Sequence, residues 1–185
     1  MAYKNEEEIE YRTLAYDELS RALFAGFCRQ QVVTRCWRKV DGAWAIVSDP
    51  FTDDWDETEY AALIASLQNI LKSGGAVYGA FSRGVLKGFS AVSAERLGKR
   101  AQYLDLVYLH VSKEQRGRGM GRALLRLSAQ WARANGAEKL YLSAHSSVES
   151  QAFYRAMGCV EAEEYQASHV KSEPWDCQME LCLKD

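Results

Sequence analysis

Hydrophobic and polar positions follow two different periods along the chain, and each period predicts one kind of element. Over Glu57–Lys72 the apolar residues recur every three or four positions, which is typical of an amphipathic helix packed on a core. Over residues 76–82 and 85–95 they alternate with small or polar residues, which is typical of strands joined by a tight turn. Residues 104–111 are almost continuously apolar, as a central strand buried on both faces should be.

The remaining elements follow from the same patterns. Leu19, Leu23 and Phe27 recur every four residues and predict a helix over residues 16–31. Asp41-Gly42 is a favoured hairpin dipeptide and predicts a turn between strands at 35–40 and 43–47. Further elements are expected as a strand at 9–14, a loop at 49–56, a helix at 119–135 and strands at 139–144, 159–165 and 176–183. The pattern predicts one α/β domain over residues 1–185, with a mixed, partly splayed central sheet flanked by helices.

Composition agrees with a single folded domain. The chain has 185 residues, of which 48% are apolar and two are proline, so a well-packed core is expected. No run of 18 apolar residues occurs, and the charged amino terminus, with Lys4, Glu6 and Glu7, does not resemble a signal peptide. We therefore expect a soluble protein in the cytoplasm, without a membrane partner.

Cysteine content and charge exclude several classes of function. The five cysteines are odd in number and lack C-x-x-C spacing, so neither a disulfide framework nor a metal site is predicted. The formal net charge of −2 gives no broad basic field, so nucleic acid is not an expected partner. The sequence leaves the oligomeric state open and is compatible with a homodimer.

A glycine-rich turn lies between the apolar strand at 104–111 and the helix that follows it. The turn reads Gln-Arg-Gly-Arg-Gly-Met-Gly over residues 115–121. Glycines let an anion approach the backbone closely, and the free N–H groups and dipole at a helix start favour negative charge. The ligand expected from this arrangement carries a pyrophosphate.

Two common phosphate loops do not fit these residues. A nucleotide-hydrolase loop requires Lys and Ser or Thr after its last glycine, whereas Arg122 and Ala123 follow Gly121. A dinucleotide-binding fold requires an acidic residue at the tip of the next strand, about 20 positions on. Here the strand at 139–144 runs into His145 and Ser146.

The pattern that does fit is Arg116-x-x-Gly119-x-Gly121, which resembles the GNAT superfamily of N-acetyltransferases. The family's hydrophobic strand end matches Val111, and its Phe-Tyr-x-x-x-Gly segment matches residues 153–158. These motifs recur in the family's order over about residues 102–165. The resemblance implies an acetyl-CoA-dependent enzyme whose amine substrate attacks the thioester directly, without a covalent enzyme intermediate.

The resemblance also implies roles for particular residues. The backbone N–H of Leu109 should meet the oxyanion, Val111 should pair with the pantetheine arm, and Tyr154 should protonate the leaving thiolate. The family usually has an asparagine where this chain has Ser147, which could hydrogen-bond the cofactor arm or simply cap a helix. The implied cofactor-binding set is Leu109, Val111, Arg116, Gly117, Arg118, Gly119, Gly121, Arg122, Ser147 and Tyr154.

The general base is left open by the sequence. The position of a family glutamate, four residues before the oxyanion donor, is occupied by Asp105. A carboxylate among apolar neighbours should have a raised pKa and could deprotonate an ammonium, although Asp105 could equally bind a charged substrate or pair with Arg100. His145 is a second candidate. The third alternative is that no dedicated base exists.

Substrate contacts are expected in the first part of the chain. Aromatic rings and carboxylates concentrate between residues 37 and 59 and suit a cationic amine, with Trp37, Asp53, Asp54 and Trp55 as the predicted contacts. The alternative is that the tryptophans belong to the core and the acids begin the helix at Glu57. We divide the domain into a substrate-side part, residues 1–75, and an acetyl-CoA-binding core with C-terminal strands, residues 76–185.

The sequence therefore predicts an N-acetyltransferase that acts on a primary amine of a small cationic molecule. Cys159 follows Gly158 and is expected to be buried, not a nucleophile. Two alternatives stay open: a CoA-binding or sensing module without catalysis, and an acetyltransferase that acts on a protein or peptide amine.

Overall fold

A computed structural model describes residues 8–184 of the chain. The charged amino-terminal residues Lys4, Glu6 and Glu7 lie outside this range. The strands in chain order are β1 Ile9–Thr13, β2 Gln31–Val40, β3 Ala43–Asp53, β4 Ala76–Ser82, β5 Val85–Leu97, β6 Tyr103–Val111, β7 Lys139–Ala144, β8 Val160–Glu161 and β9 Cys177–Cys182. The helices are α1 Glu57–Lys72, α2 Met120–Ala134, α3 Val148–Ala156 and α4 Ala167–Ser172.

Seven of the strands form one mixed sheet in the order β1-β4-β5-β6-β7-β9-β8, and β2 and β3 form a separate hairpin. Every pairing in the large sheet is antiparallel except that of β6 with β7. The α/β class and the mixed sheet predicted from the sequence are confirmed.

The sheet opens between its two parallel strands. Among the described strands, β6 pairs with β7 only from Tyr103 to Asp105, opposite Lys139 to Tyr141. The register of β6 on β5 shifts where Val107 stands unopposed between the Ala91–Tyr108 and Val92–Leu106 pairs. A bulge bends a strand and increases its twist, so β6 turns away from β7 beyond this point. The predicted splay is therefore present.

Amphipathic helices cover the two faces of the sheet. On one face α1 buries Tyr60, Leu63 and Leu67 with Phe24 and Phe89 in one cluster. On the other face α2 buries its apolar side chains against β4, β5 and β6, in clusters that contain Leu124 and Leu125. Burial of each such leucine contributes roughly 2 kcal/mol, so these clusters hold the helices on the sheet.

The predicted helix over residues 16–31 is wrong. The segment forms two single 3₁₀ turns, Tyr16–Glu18 and Arg21–Phe24, and β2 begins at Gln31. Its backbone bonds elsewhere: Lys87 Nζ donates to Gly26 O at 2.7 Å, and Cys28 N donates to Ser112 Oγ at 2.9 Å. Leu19 and Phe27 are nevertheless buried. The spacing of the apolar residues therefore correctly indicated which side chains are buried, but not the helical conformation.

Two further predictions need correction. The loop expected at 49–56 is extended as far as Asp53, because β2 and β3 continue to pair up to Gln31 opposite Asp53. Only Val160–Glu161 of the strand expected at 159–165 is paired, and α4, which the sequence pattern did not indicate, follows it. The hairpin turn at Asp41-Gly42 and the helix Glu57–Lys72 are confirmed.

Within residues 8–184 no helix is long and apolar enough to cross a lipid bilayer.

Gly75 joins α1 to β4 at a point of close backbone approach, which makes it a test of the packing. A Cβ there would lie 2.6 Å from Ile70 Cγ2 and 2.9 Å from Ile70 O, and closer still to the carbonyl of Val92. We expect Gly75→Ala to lower the free energy of unfolding by about 2–3 kcal/mol in urea denaturation. Ser73→Ala, at an exposed position of the same connection, should stay within about 0.5 kcal/mol of wild type. Equal stabilities for the two variants would contradict this packing.

Candidate functional site

A cavity of about 720 Å³ opens where β6 and β7 diverge. Its walls come from β6, from the glycine-rich loop and α2, from α3, and from the first part of the chain through Arg29, Gln31, Asp53 and Trp55. The cavity therefore lies beyond the carboxyl ends of the two parallel strands, which is the usual place for a ligand in an open α/β sheet.

The open edge of β6 presents backbone donors to this cavity. Ser112 N donates to Lys87 O at 2.7 Å, and bonding alternates from residue to residue along an antiparallel pair. With Gly88 opposite Val111 and Ser90 opposite Leu109, the N–H groups of Val111 and Leu109 point away from β5. They face the gap that β7 leaves, where a ligand can accept from them.

The glycine-rich loop is shaped for an anion. Gly119 is the N-cap of α2 with φ +87°, and within residues 8–184 no side chain caps this helix. A Cβ at Gly117 or Gly119 would meet no described atom within 4 Å, so the backbone lies open to the cavity. Arg122 in the first turn also lines the cavity. Free N–H groups, the helix dipole and a guanidinium together favour a phosphate.

Arg116 holds this loop in place. Its Nε donates to Val111 O at 3.0 Å and its Nη2 donates to Arg29 O at 2.8 Å. The guanidinium thereby ties the loop to the end of β6 and to the segment that enters β2. Arg116 reaches the cavity wall, whereas Arg118 lies outside the set of lining residues.

Tyr154 of α3 lines the cavity and is 8% exposed. Burial, above all, raises the pKa of its phenol, with smaller contributions from Cys159 and Asp176. The phenol therefore keeps its proton throughout the neutral range. Ser147 is the N-cap of α3 and accepts from Ser150 N at 3.2 Å, which is the capping arrangement that the sequence left open.

The remaining wall of the cavity combines rings and charges from the first part of the chain. Arg29 forms an ion pair with Asp53, and its guanidinium lies 5.2 Å from the centre of the Trp55 ring. Trp55 in turn packs edge-on against His110. Asp53 and Trp55, two of the four predicted substrate residues, are thus in the wall.

The other two predicted substrate residues lie elsewhere. Trp37 N donates to Ser146 O at 2.8 Å, and the Trp37 ring packs under the guanidinium of Arg155. The Asp54 carboxylate accepts from Trp55 N at 2.9 Å. Both residues lie outside the lining of the cavity; Trp37 is half-buried on the hairpin and Asp54 precedes Asp56, the N-cap of α1.

Asp105 also lies outside the cavity wall. Its Oδ2 is 2.8 Å from Nε2 of His169 in α4, and its buried Oδ1 has no hydrogen-bond partner among residues 8–184. The nearby carboxylate raises the pKa of His169. The pair joins α4 to β6 beneath the turn that leads into β9.

One ring nitrogen of His145 accepts a hydrogen bond, and the other faces a carboxylate beyond hydrogen-bond distance. Nδ1 accepts from Ser147 N at 3.2 Å, so the proton of the neutral ring is on Nε2, which faces Asp53 Oδ2 at 3.6 Å. Burial lowers the pKa of His145, and burial together with Arg29 lowers that of His110 well below its ordinary value. Both rings are therefore neutral near pH 7.

Sequence reasoning missed three carboxylates in the wall, Glu149 of α3, Glu173 and Asp176. Glu173 and Asp176 follow α4, and the family motifs carry no signal for them. A signal was nonetheless present in the segment Glu173-Pro174-Trp175-Asp176, because proline and flanking acids are typical of a tight turn at a strand start.

The geometry agrees with the comparison to known proteins. The chain matches the model of the Acetyltransferase (GNAT) family over residues 40–159, which is more than half of its length. The protein therefore belongs to the GNAT family of acetyltransferases, and N-acetyltransferase is its class of enzyme. A search of curated proteins finds no significant match.

Solved structures share the fold. A nourseothricin acetyltransferase superposes with a TM-score of 0.71 at 21% identity, over 95% of this chain and 99% of that chain. A protein from Bacillus anthracis str. Ames, described as a streptothricin acetyltransferase in complex with acetyl coenzyme A, superposes with a TM-score of 0.70 at 16% identity. The match covers 95% of this chain and 99% of that chain. The PaiA N-acetyltransferase of Thermoplasma acidophilum, in complex with coenzyme A, superposes with a TM-score of 0.58 at 17% identity, over 95% of this chain and 99% of that chain.

The Asp105–His169 pair predicts a pH-dependent stability. Because the folded pKa of His169 is raised, its contribution is complete below the unfolded value and is lost as pH rises through the folded value. We expect the free energy of unfolding of wild type to exceed that of His169→Gln by about 1–2 kcal/mol at pH 5.5. This difference should shrink above neutral pH. Melting temperatures measured from pH 5.5 to 8.5 check this. A difference that does not change with pH would show that the ring stabilises by packing alone.

Proposed function

We propose that this protein transfers the acetyl group of acetyl-CoA to a primary amine of a small cationic molecule, by direct attack of the amine. The observation that carries the proposal is the cavity itself. Its lining combines glycine backbone, a helix start and Arg122 with the carboxylates of Asp53, Glu149, Glu173 and Asp176. Groups complementary to a polyphosphate and groups complementary to a cation therefore line one space.

The residues present fit the cofactor. The loop at Gly117 and Gly119 and the first turn of α2 would hold the pyrophosphate, with Arg122 as a charged partner. The free N–H of Val111 would bind the pantetheine arm along the open edge of β6. When bound, acetyl-CoA supplies the activated acetyl group.

Two groups of the chain are placed to assist the chemistry. The N–H of Leu109 faces the gap and would donate to the oxygen that develops negative charge. Tyr154 keeps its proton and would donate it to the departing sulfur. Leu109 acts through its backbone, so its side-chain identity is free to serve the core.

The acidic part of the lining favours a small cation. The carboxylates of Glu173 and Asp176, which line the cavity, offer ion pairing to an ammonium group, whereas Asp53 and the ring of Trp55 already contact Arg29. Proteins named for nourseothricin and streptothricin share the fold, which makes amine antibiotics a first substrate class to test. A cytoplasmic location, a homodimer and the division of the domain at residue 75 stay predictions.

The test of this function is a panel of amines with acetyl-CoA. Free thiol release should be followed with nourseothricin, spermidine, kanamycin, lysine and a lysine-containing peptide, beside calorimetric titration of acetyl-CoA. We expect acetyl-CoA to bind and one cationic small molecule to be acetylated fastest. If the peptide is acetylated fastest, the acceptor is a protein or peptide amine and not a small cation. If acetyl-CoA binds but no amine is acetylated, the protein is a sensing module.

Tyr154→Phe tests the donor assigned to the sulfur. We expect kcat to fall by about 10²-fold or more, while the Kd for acetyl-CoA changes less than about threefold, because the phenol acts on the leaving group and not on the phosphates. Phe153→Leu, at the adjacent lining position, should instead change affinity more than kcat. An unchanged kcat in Tyr154→Phe would remove this residue from the chemistry.

A further inference from the structure

The wall of the cavity contains one carboxylate whose surroundings suit it to proton transfer. We propose that Asp176 takes the proton from the acceptor amine, and that Glu173 holds the ammonium group beside it. This inference rests on the acetyl transfer proposed above, and it names the residue that neither the strand motif nor the glycine loop indicated.

A tight turn fixes the two carboxylates next to each other. Asp176 N donates to Glu173 O at 3.1 Å, which closes the turn around Pro174 and Trp175. Glu173 N donates to His169 O at 2.8 Å, so the turn continues directly from α4. Proline restricts the backbone of such a turn and lowers its freedom before the substrate arrives.

The start of β9 directs Asp176 into the site. Cys177 is opposite Ala144, so Asp176 lies beyond the carboxyl end of β7, where the strands have opened. Its Oδ1 accepts from Ser146 N at 3.1 Å, which orients the carboxylate. Asp176 and Glu173 both line the cavity, as does Tyr154.

The groups that face Asp176 leave it poised near neutrality. Burial, followed by the charge of Glu173, raises the pKa of Asp176 to about 7, against the bond from Ser146 and the charge of Arg38 on β2, which lower it. Tyr154 of α3 faces it as a neutral phenol. A base acts best when its pKa is close to the working pH, so Asp176 is matched to a neutral medium.

The two histidines of the wall are poorer bases. The lone pair of His145 Nδ1 is taken by Ser147 N, and its Nε2 carries the proton. His110 is so disfavoured as a cation that it accepts a proton weakly. Neither ring offers a basic lone pair to the substrate.

The other carboxylates near the site are also engaged. Asp53 is bound by Arg29, and Asp105 is bound by His169 away from the cavity. Glu149, which also lines the cavity, lies in the first turn of α3, where the helix start attracts negative charge. Asp105 is therefore better placed to position the α4 segment, which carries the turn, than to contact the amine.

The proposed step is balanced in protons and electrons. Asp176 accepts one proton from the ammonium group, and the freed electron pair of nitrogen forms the bond to the acetyl carbon. Tyr154 donates a proton to the sulfur as the carbon–sulfur bond breaks, and the second nitrogen proton restores its phenol. Asp176 then releases its proton to solvent, so one proton leaves for each acetyl group transferred.

The test compares Asp176→Asn and Glu173→Gln with wild type over pH 5.5–9.5, using acetyl-CoA and the panel amine that wild type acetylates fastest. Asp41→Asn, at the exposed tip of the hairpin, is the matched control. Its kcat/KM should stay within about twofold of wild type at every pH. Calorimetric binding of acetyl-CoA and melting temperatures establish that each variant is folded.

We expect kcat/KM of wild type to rise with pH and to level off above an apparent pKa near 7. Asp176→Asn should lose about 10²-fold at pH 7 and regain activity toward pH 9.5, as the amine loses its proton in solution. Glu173→Gln should raise the amine KM about three- to tenfold with little change in kcat, and should shift the profile to lower pH because a neighbouring negative charge is gone.

An Asp176→Asn enzyme with the wild-type pH profile would overturn the base assignment and leave acetyl transfer intact, whereas absence of turnover by wild type would overturn both. If Asp176→Asn does not fold, Asp176→Glu keeps a carboxylate and should retain the profile at lower rate. Carbon-13 titration of the aspartate carboxyls in wild type is independent of any variant. A value for Asp176 below about 5 would contradict the proposal.

Discussion

The departure of β6 from β7 is the constraint on which the rest of the site depends. A parallel pair that continued to Val111 would consume the backbone donors of Leu109 and Val111 and close the cavity. The unopposed Val107 bends β6 within its antiparallel pairing to β5, so the sheet keeps one edge of the strand bonded while the other is released. The released edge, the glycine loop beyond it and the open end of β7 then face one common space.

Charge is distributed across that space in a consistent way. Arg116 donates its hydrogen bonds to two backbone carbonyls and so holds the loop in place. The helix start and Arg122 are therefore the groups that face an anion. Elsewhere in the wall burial disfavours positive histidines and raises the pKa of Asp176 to about 7. A guanidinium and a carboxylate with a raised pKa therefore line the cavity from different elements, α2 and the start of β9.

Local pattern and motif predicted α1, α2 and the glycine-rich turn, and contacts distant in sequence decided the rest. The helix Glu57–Lys72 and the loop at 115–121 could be identified because periodicity and glycine spacing act within a few residues. The segment before β2 could not, because its backbone bonds are made with Lys87 and Ser112. Asp105 fits a family position, yet its partner His169 lies 64 residues away, and Asp176 enters the site through pairing of β9 with β7.

The hairpin of β2 and β3 has a consequence for how such a protein can diversify. The hairpin forms its own two-stranded sheet. It contacts the start of α3 through the β-bridge between Cys36 and Ser147 and the hydrogen bond from Trp37 N to Ser146 O. Side chains reinforce these backbone contacts, because Gln31 Nε2 donates to Ser147 Oγ at 3.1 Å and Trp44 Nε1 donates to Glu161 Oε2 at 3.2 Å. Asp53 at its base pairs with Arg29, whose carbonyl accepts from Arg116 of the glycine loop, so a substitution in the hairpin wall also reaches the loop, and the two cannot diversify independently.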